Sequence, residues 1–379
     1  MADTAPQTAA REHHEPTQTV DHKAEILASQ IRKSKHFIIF TGAGISTSAG
    51  IPDFRGPEGS WTLLAQGRQR TAPSTSTLQA IPTPAHMALV ELQNRGVLKY
   101  VVSQNCDGLH RRSGILSNKI SEVHGNSNLE HCKTCGKEYL RDFRAVASYE
   151  KSVHDHRTGR KCAVCGGMLF DTIINFGESL PETALALAWE NAQMADLCLV
   201  LGSSCTVTPA ADIPELVGRN KSAKLAICNL QQTPLDDVSD LRVFSTADDL
   251  MVRVMEKLGT SIPRFVLRRR VVLSIGTRAD GSCGIVVQGV DAEGVPMTYL
   301  RSVRLEGSRR GSTSEPHAIS LRDGLAVGCI VRLELEFMGH YREPNLQIHY
   351  EVRGLKEEQA CYVLEFDPCG GGWMTRRES

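Results

Sequence analysis

A parallel α/β sheet followed by a C-terminal antiparallel β domain is the fold class predicted by this 379-residue sequence. Three observations carry the prediction. From Asp21 to about Leu258, apolar runs of strand length (HFIIF, LKYVVS, DLCLVLG, KLAICNL) alternate with helical patterns, the rhythm of strands buried on both faces of a parallel sheet. Beyond Gly259 the helical patterns stop and strand-like runs recur between turns: FVLRRRVVLSIG, CGIVVQGV, MTYLRSVRLEG, CIVRLELEF, LQIHYEV and CYVLEF. Between about Asn126 and Phe170 a charged, His-rich stretch surrounds two cysteine pairs, which reads as an inserted module.

Composition narrows the class. Hydrophobic residues make up 41% of the chain, enough for well-buried cores. Lys plus Arg and Asp plus Glu both number 43, so net charge gives no general drive toward nucleic acid or anionic membrane. No segment holds 18 uninterrupted apolar residues and the N-terminus lacks a signal-peptide core, so a soluble, intracellular protein without membrane contact is expected. In that setting, 12 cysteines point to metal binding or free thiols rather than a disulfide framework.

The elements follow in chain order. Residues 1–22, rich in Ala, Thr, Pro and His, are expected to form a disordered tail. Phe37 to Gly56 read FIIFTGAGISTSAGIPDFRG: an apolar strand breaks into a Gly-x-Gly turn, with Gly42, Ala43 and Gly44 placed to meet phosphate. The third glycine of a dehydrogenase fingerprint is replaced by Thr47, and no acid follows Glu58 until Glu91, so the ribose anchor is absent. Thr83 as N-cap, Pro84 at the first position and Gly96 past the end bound a helix that leads straight into the strand LKYVVS. That strand ends in Gln104, Asn105 and Asp107, small amides and a carboxylate at the sheet edge where ligand groups gather, although an Asx-capped turn explains them equally well. His124, before Gly125, has a side chain suited to proton transfer near neutrality, or a structural role.

Cys132-x2-Cys135 and, after 26 residues, Cys162-x2-Cys165 offer four thiolates to one tetrahedral ion, the closed coordination of structural zinc. His131, His154 and His156 lie beside them. DTIINFGESLP then supplies either an exposed extended edge for a peptide or a buried strand. Two later strands end in Gly202, Ser203 and Ser204, and in Asn229 and Leu230, groups able to meet phosphate or ribose oxygens. Strict alternation over Val331 to Phe337 marks a strand wet on one face, and a sandwich is the simplest form for residues 259–368, with a tail over 369–379. Arg268, Arg269 and Arg270 form a local basic cluster, read as a nucleic-acid contact or as ordinary strand residues.

GAGIS, IPDFRG, QNCD, HG, the two CxxC pairs, FGE, GSS and CNL occur in one order and spacing that resembles the sirtuin family of NAD-dependent protein lysine deacylases, over about residues 23–258. GSWTLL and HDHRTGRKCAVCG are most similar to its class IV, sirtuin-7 branch. The resemblance implies a Rossmann-like core with a four-cysteine zinc module, about residues 126–170, remote from the chemistry. It also implies that Gly42, Ala43 and Gly44 line the NAD pyrophosphate, and that the Ala49–Arg55 loop, with Asp53, Phe54 and Arg55, covers the nicotinamide ribose. Gln104, Asn105 and Asp107 would contact ribose and carboxamide, Asn105 and Asp107 being counted with His124 as catalytic. Gly202, Ser203, Ser204, Asn229 and Leu230 would hold phosphate and adenosine, with Asp248 capping adenine. Ile174, Phe176, Gly177 and Glu178 would bind the acyl-lysine peptide.

The implied reaction displaces nicotinamide by the acyl oxygen, with His124 as general base, and yields acyl-ADP-ribose. Histone lysines, a chromatin or nucleic-acid contact and nuclear location are implied by the branch. Mono-ADP-ribosyl transfer and a chromatin-binding scaffold remain as alternatives. Asn175 departs from the family pattern and leaves the acyl preference open.

Overall fold

The structure is a computed structural model that describes residues 11–71, 73–148, 152–277, 283–291, 294–321, 325–354 and 358–378. It divides into two compact units, each assembled from separated stretches of chain: residues 1–127 with 173–265, and 128–172 with 266–379. This differs from the expected boundaries. The cysteine module groups with the C-terminal β region, not with the α/β core that encloses it in sequence.

In the first unit a six-stranded sheet runs Leu241–Val243, Lys224–Cys228, Leu197–Leu201, Phe37–Thr41, Leu98–Ser103, Ile120–Glu122, with every pair parallel. Numbered by position in the chain, that is 6-5-4-1-2-3, the dinucleotide-binding order seen from the other edge. The order reverses between Phe37–Thr41 and Leu197–Leu201, and such a switch point opens a crevice at the carboxyl ends of the strands. The central strands Phe37–Thr41 and Leu197–Leu201 are buried at every residue because both faces are covered. Phe37, Ile39, Leu197 and Leu199 pack with the helices Thr17–Lys33, Pro84–Asn94 and Ala247–Lys257. Ile38, Phe40, Cys198 and Val200 pack with Glu182–Met194 and Asp212–Arg219.

The helix expected after Thr83 forms as read: Thr83 Oγ1 accepts from the His86 N–H at 3.3 Å, and Pro84 occupies the first turn. The expected tail over residues 1–22 is corrected for residues 11–22, while residues 1–10 lie outside the described residues. The first helix begins at Thr17 because Val20, Ala24, Leu27 and Ile31 form one buried stripe. The chain before it is already tied down by the His13 N–H to the Leu230 carbonyl (2.8 Å) and the Glu15 N–H to the Phe244 carbonyl (3.0 Å).

The second unit holds two antiparallel sheets, one of five strands (His317–Leu321, Cys283–Val290, Leu267–Thr277, Glu358–Phe366, Trp373–Arg377) and one of four (Gly311–Ser312, Leu300–Leu305, Ile330–Phe337, Leu346–Glu351). They share a single apolar core, as a sandwich requires. The expected tail over 369–379 contains the edge strand Trp373–Arg377, whose Trp373 ring stacks on Phe337 at 4.4 Å.

The cysteine module builds a further sheet, and its strand Glu138–Arg141 pairs in parallel with Met297–Thr298 of the C-terminal region. Leu129 and Leu140 enter the shared core. Polar links reinforce the join. Arg269, 3% exposed, donates to both carboxylate oxygens of Asp142 at 3.0 and 3.1 Å. Arg141 bridges the fully buried Glu130 (2.7 Å) to Thr298 and Glu315. The basic cluster is thereby consumed: Arg268 pairs with Glu365, Arg269 with Asp142 and Arg270 with Glu378. Arg268 remains largely exposed while Arg269 is buried, so the three residues do not form one contiguous basic patch. Among the described residues no helix is long and apolar enough to cross a membrane.

Removing one member of a buried ion pair strands the other charge. Asp142→Ala and Arg269→Met are each expected to destabilise the chain by about 3–5 kcal/mol in urea unfolding. The double variant should lie nearer to wild type than the sum of the two, since it leaves no unpaired charge.

Candidate active site and metal cluster

A cavity of about 630 Å³ opens at the carboxyl ends of the parallel strands, within the usual range of about 300–1,000 Å³ for small-ligand sites. Four strand ends feed it. Phe37–Thr41 contributes Gly42, Ala43 and Gly44; Leu98–Ser103 contributes Gln104, Asn105 and Cys106; Leu197–Leu201 contributes Gly202, Ser203 and Ser204; Lys224–Cys228 contributes Asn229. His124, two residues beyond Ile120–Glu122, closes one wall.

The phosphate-type turn is fixed by contact between two backbones. A Cβ on Gly42 would lie 2.7 Å from the Gly202 carbonyl oxygen, and one on Gly202, whose φ is +62°, would lie 2.5 Å from the Gly44 carbonyl carbon. Neither position has room for any other residue. The Gly44 N–H donates to the Gly202 carbonyl at 2.8 Å and locks the two turns together. Asn105 Nδ2 donates to the Gly42 carbonyl at 3.0 Å and Gln104 Nε2 to Ser203 Oγ at 2.8 Å, so neutral amides brace the cavity floor.

His124 is held on several sides. Its Nδ1 lies 3.1 Å from the Gln104 carbonyl, and that acceptor requires Nδ1 to carry the proton. The neutral ring therefore keeps its lone pair on Nε2. The His124 carbonyl accepts from the Ile174 N–H (3.2 Å) and from the Cys106 thiol (3.2 Å). Burial pushes the His124 pKa below the ordinary 6.5, and the Gln104 carbonyl opposes this in part. Across the cavity burial raises the Asp53 carboxyl, whose Oδ1 accepts from the Gly56 N–H at 3.1 Å. Arg55 Nη1 reaches Ser204 Oγ at 3.5 Å, and its guanidinium stacks on Trp61, 4.5 Å from the ring centre.

Of the residues singled out in the sequence, Asp53, Phe54, Arg55, Ile174, Phe176, Gly177 and Glu178 also line the cavity. Ile174 to Glu178 form no strand and are not buried, so the reading of that segment as a buried strand is corrected: the chain turns at Gly177 and leaves Phe176 exposed. Three expected ligand residues stand behind the cavity wall instead. Asp107 accepts from Ser46 Oγ (2.7 Å) and the Leu109 N–H (2.9 Å), Leu230 offers its carbonyl to His13, and Asp248 accepts from Ser48 and from the Ala85 N–H (2.8 Å). Trp61, Cys106 and Gln231 were not singled out. Gln231 Nε2 holds the Arg55 carbonyl at 3.2 Å, a contact between residues 176 apart that no local pattern reveals.

Residues 68–209 match the Sir2 family. The NAD-dependent protein deacetylase SRT1 of Arabidopsis thaliana is 44% identical over 262 residues, 69% of this chain and 54% of that protein. Human NAD-dependent protein deacetylase sirtuin-7 is 42% identical over 265 residues, 67% of this chain and 64% of that one. The Drosophila melanogaster NAD-dependent protein deacetylase Sirt6 is 37% identical over 262 residues, 68% of this chain and 81% of that protein. The chain belongs to the Sir2 family. A solved Sir2 variant with a deacetylated p53 peptide and 3'-O-acetyl ADP ribose superposes with a TM-score of 0.50 at 33% identity, over 62% of this Sir2-family chain and 99% of that one. The chain spans just over half the length of the plant relative.

The second unit of this Sir2-family protein carries the four cysteines. Cys132, Cys135, Cys162 and Cys165 place their sulfurs within 4.8 Å of one another, the only such group of metal-binding side chains among the described residues. The Cys132–Cys165 and Cys135–Cys162 sulfurs lie 3.5 and 3.6 Å apart. A tetrahedral zinc ion with Zn–S bonds of about 2.3 Å sets its sulfurs about 3.8 Å apart, so the cage fits. Two matching knuckles produce it: the Gly136 and Gly166 N–H groups bond back to the Cys132 and Cys162 carbonyls at 2.8 and 2.9 Å, and both glycines sit at φ +72°. The Tyr139 hydroxyl bonds to Cys162 Sγ at 3.2 Å and, with the backbone N–H groups of Cys165 and Val164, lowers that thiol to about 6, which favours the thiolate a metal needs. His156 pairs with Asp171 at 2.8 Å and stands outside the cage.

Atomic emission is expected to find one zinc per chain, lost in Cys162→Ser together with several degrees of thermal stability. Tyr139→Phe should keep the metal at rest but release it to a chelator about tenfold faster or more, the usual cost of removing an outer hydrogen bond.

Proposed function

We propose that this chain is an NAD-dependent protein lysine deacylase, acting on acylated lysines of histones or other nuclear proteins. The observation that carries the reading is the fixed tautomer of His124: Nδ1 is committed to the Gln104 carbonyl, so Nε2 can take a proton in a cavity built at a dinucleotide switch point. The nuclear setting, the histone substrate and any contact with chromatin rest on the resemblance to the sirtuin-7 branch alone.

Gly42, Ala43 and Gly44 with Gly202, Ser203 and Ser204 would hold the phosphates, Asn229 the adenosine side, and Asp53, Phe54, Arg55, Gln104 and Asn105 the nicotinamide ribose. Asp107, Leu230 and Asp248 would act from behind the wall, holding the turns that make contact. Ile174, Phe176, Gly177 and Glu178 would receive the peptide and its acyl-lysine. NAD supplies an anomeric carbon with nicotinamide as leaving group. Phe54 and Trp61 would exclude water from it, and His124 Nε2 would take the proton of a ribose hydroxyl so that the acyl group passes to it. No acid is required to bind the ribose as in a hydride-transfer enzyme, which agrees with the gap between Glu58 and Glu91. The four-cysteine cage leaves no coordination position for a reacting water, so zinc would serve structure.

The test incubates the full chain and His124→Ala with NAD and acetylated, long-chain-acylated or unmodified histone peptides, and follows nicotinamide and acyl-ADP-ribose by mass spectrometry. Wild type should form acyl-ADP-ribose and the variant at least about 100-fold less, the usual contribution of a general base. Nicotinamide accompanied by ADP-ribose on protein would replace the reading with transfer. No product even with nucleosomes would end it.

The pH profile gives a separate expectation. A base works only when neutral, and a lowered pKa keeps His124 neutral to more acidic pH. The acidic limb of kcat/KM should therefore have its midpoint below 6.5.

A further inference from the structure

Trp61 has a place in the cavity that neither the turn glycines nor His124 explains. It is the second residue of the short helix Ser60–Ala65, which buries Thr62 and Leu63 and leaves the indole half-buried. The indole touches two cavity loops at once. Its ring centre lies 4.9 Å from Phe54 on one side and 5.2 Å from Phe176 on the other, with Arg55 stacked over it at 4.5 Å. Phe54 and Phe176 are 46% and 47% exposed, so neither ring belongs to the core and each finds its aromatic partner in Trp61. The backbone ties Trp61 to the first loop alone, through its N–H to the Phe54 carbonyl at 2.9 Å. The link to Phe176 runs through the indole.

We infer that Trp61 is a positioning residue that couples the Asp53–Arg55 loop to the Ile174–Glu178 segment, so that an acyl-lysine peptide seated on one tightens the other around NAD. The inference rests on the reading that these two segments hold NAD and peptide. Each aromatic contact is worth roughly two- to tenfold in an equilibrium, so the pair supports a coupling of about tenfold. Linkage makes the effect reciprocal: the dinucleotide must tighten the peptide by the same factor. A tryptophan that served only fold stability would lower both affinities in its absence and leave their ratio untouched.

Calorimetry on the full-length protein tests this, with carba-NAD, whose bond to nicotinamide does not break, titrated with and without an acetyl-lysine peptide. In wild type the peptide should tighten carba-NAD about tenfold, and carba-NAD should tighten the peptide equally. Trp61→Phe, which keeps an aromatic face, should retain most of that factor, and Trp61→Ala should bring it within twofold of none. Should Trp61→Ala fail to fold, Phe176→Leu removes the same link from the other side and should also abolish the coupling. Full coupling in folded Trp61→Ala or Phe176→Leu overturns the inference while leaving deacylation intact. A wild type that binds no carba-NAD overturns the deacylase reading and this inference with it.

Discussion

The cavity depends on how closely two strand-end turns approach each other. Where Gly42 and Gly44 meet Gly202 the separation is too small for any Cβ. That approach sets the floor from which Gln104 and Asn105 are braced, and Gln104 in turn fixes the His124 tautomer through its carbonyl. A chain of short contacts thus runs from the switch point of the sheet to a single ring nitrogen. Buried parallel strands deliver it because their ends cannot shift without disturbing the packing on both faces. The geometry of the base is inherited from the register of the sheet.

The second unit is organised by a different constraint, the burial of charge. Glu130, Arg141, Asp142 and Arg269 are all nearly or fully buried: Glu130 pairs with Arg141 inside the cysteine module, while Arg141 also reaches Thr298 and Glu315, and Asp142 pairs with Arg269, across the join to the C-terminal region. Charges in such surroundings tolerate few alternative partners, so they specify which strand lies against which. The parallel pairing of Met297–Thr298 with Glu138–Arg141 is short, and the ion pairs beside it give it direction. The zinc cage sits in the same sheet, and Tyr139 links the two by bonding Cys162 while its ring lies 4.7 Å from the Arg141 guanidinium.

Much of this was legible in the sequence because it is encoded locally. Strand-length apolar runs, the Thr83-Pro84 cap, the paired CxxC knuckles and the glycines at strand ends each state their structure within a few residues. The reading failed where the cause lies far along the chain. Arg268, Arg269 and Arg270 are identical letters with three fates, and Arg269 turns inward only because Asp142, 127 residues earlier, awaits it. Asp107 ends the QNCD motif, and its link to Ser46, 61 residues earlier, has no trace in that motif. The tail expected at the N-terminus was judged by composition, which hides the one-sided stripe from Val20 to Ile31. The grouping of the cysteine module with residues beyond 265 leaves no local trace.

The interleaving of the two units bears on how the polypeptide is made. Synthesis is vectorial, and the first unit has all of its residues once position 265 has been added, while the second then holds only residues 128–172. Until residues 297 and 298 have been added the edge at Glu138–Arg141 lacks its neighbour, and the core that Leu129 and Leu140 enter is not complete until Leu364. Pairing of such high sequence separation is slow to nucleate and leaves adhesive surface uncovered in the interval. Metal capture by the two knuckles needs none of the missing residues. Early zinc loading during translation would hold the module in shape until its partner strands emerge, making the ion an internal chaperone as well as a structural ligand.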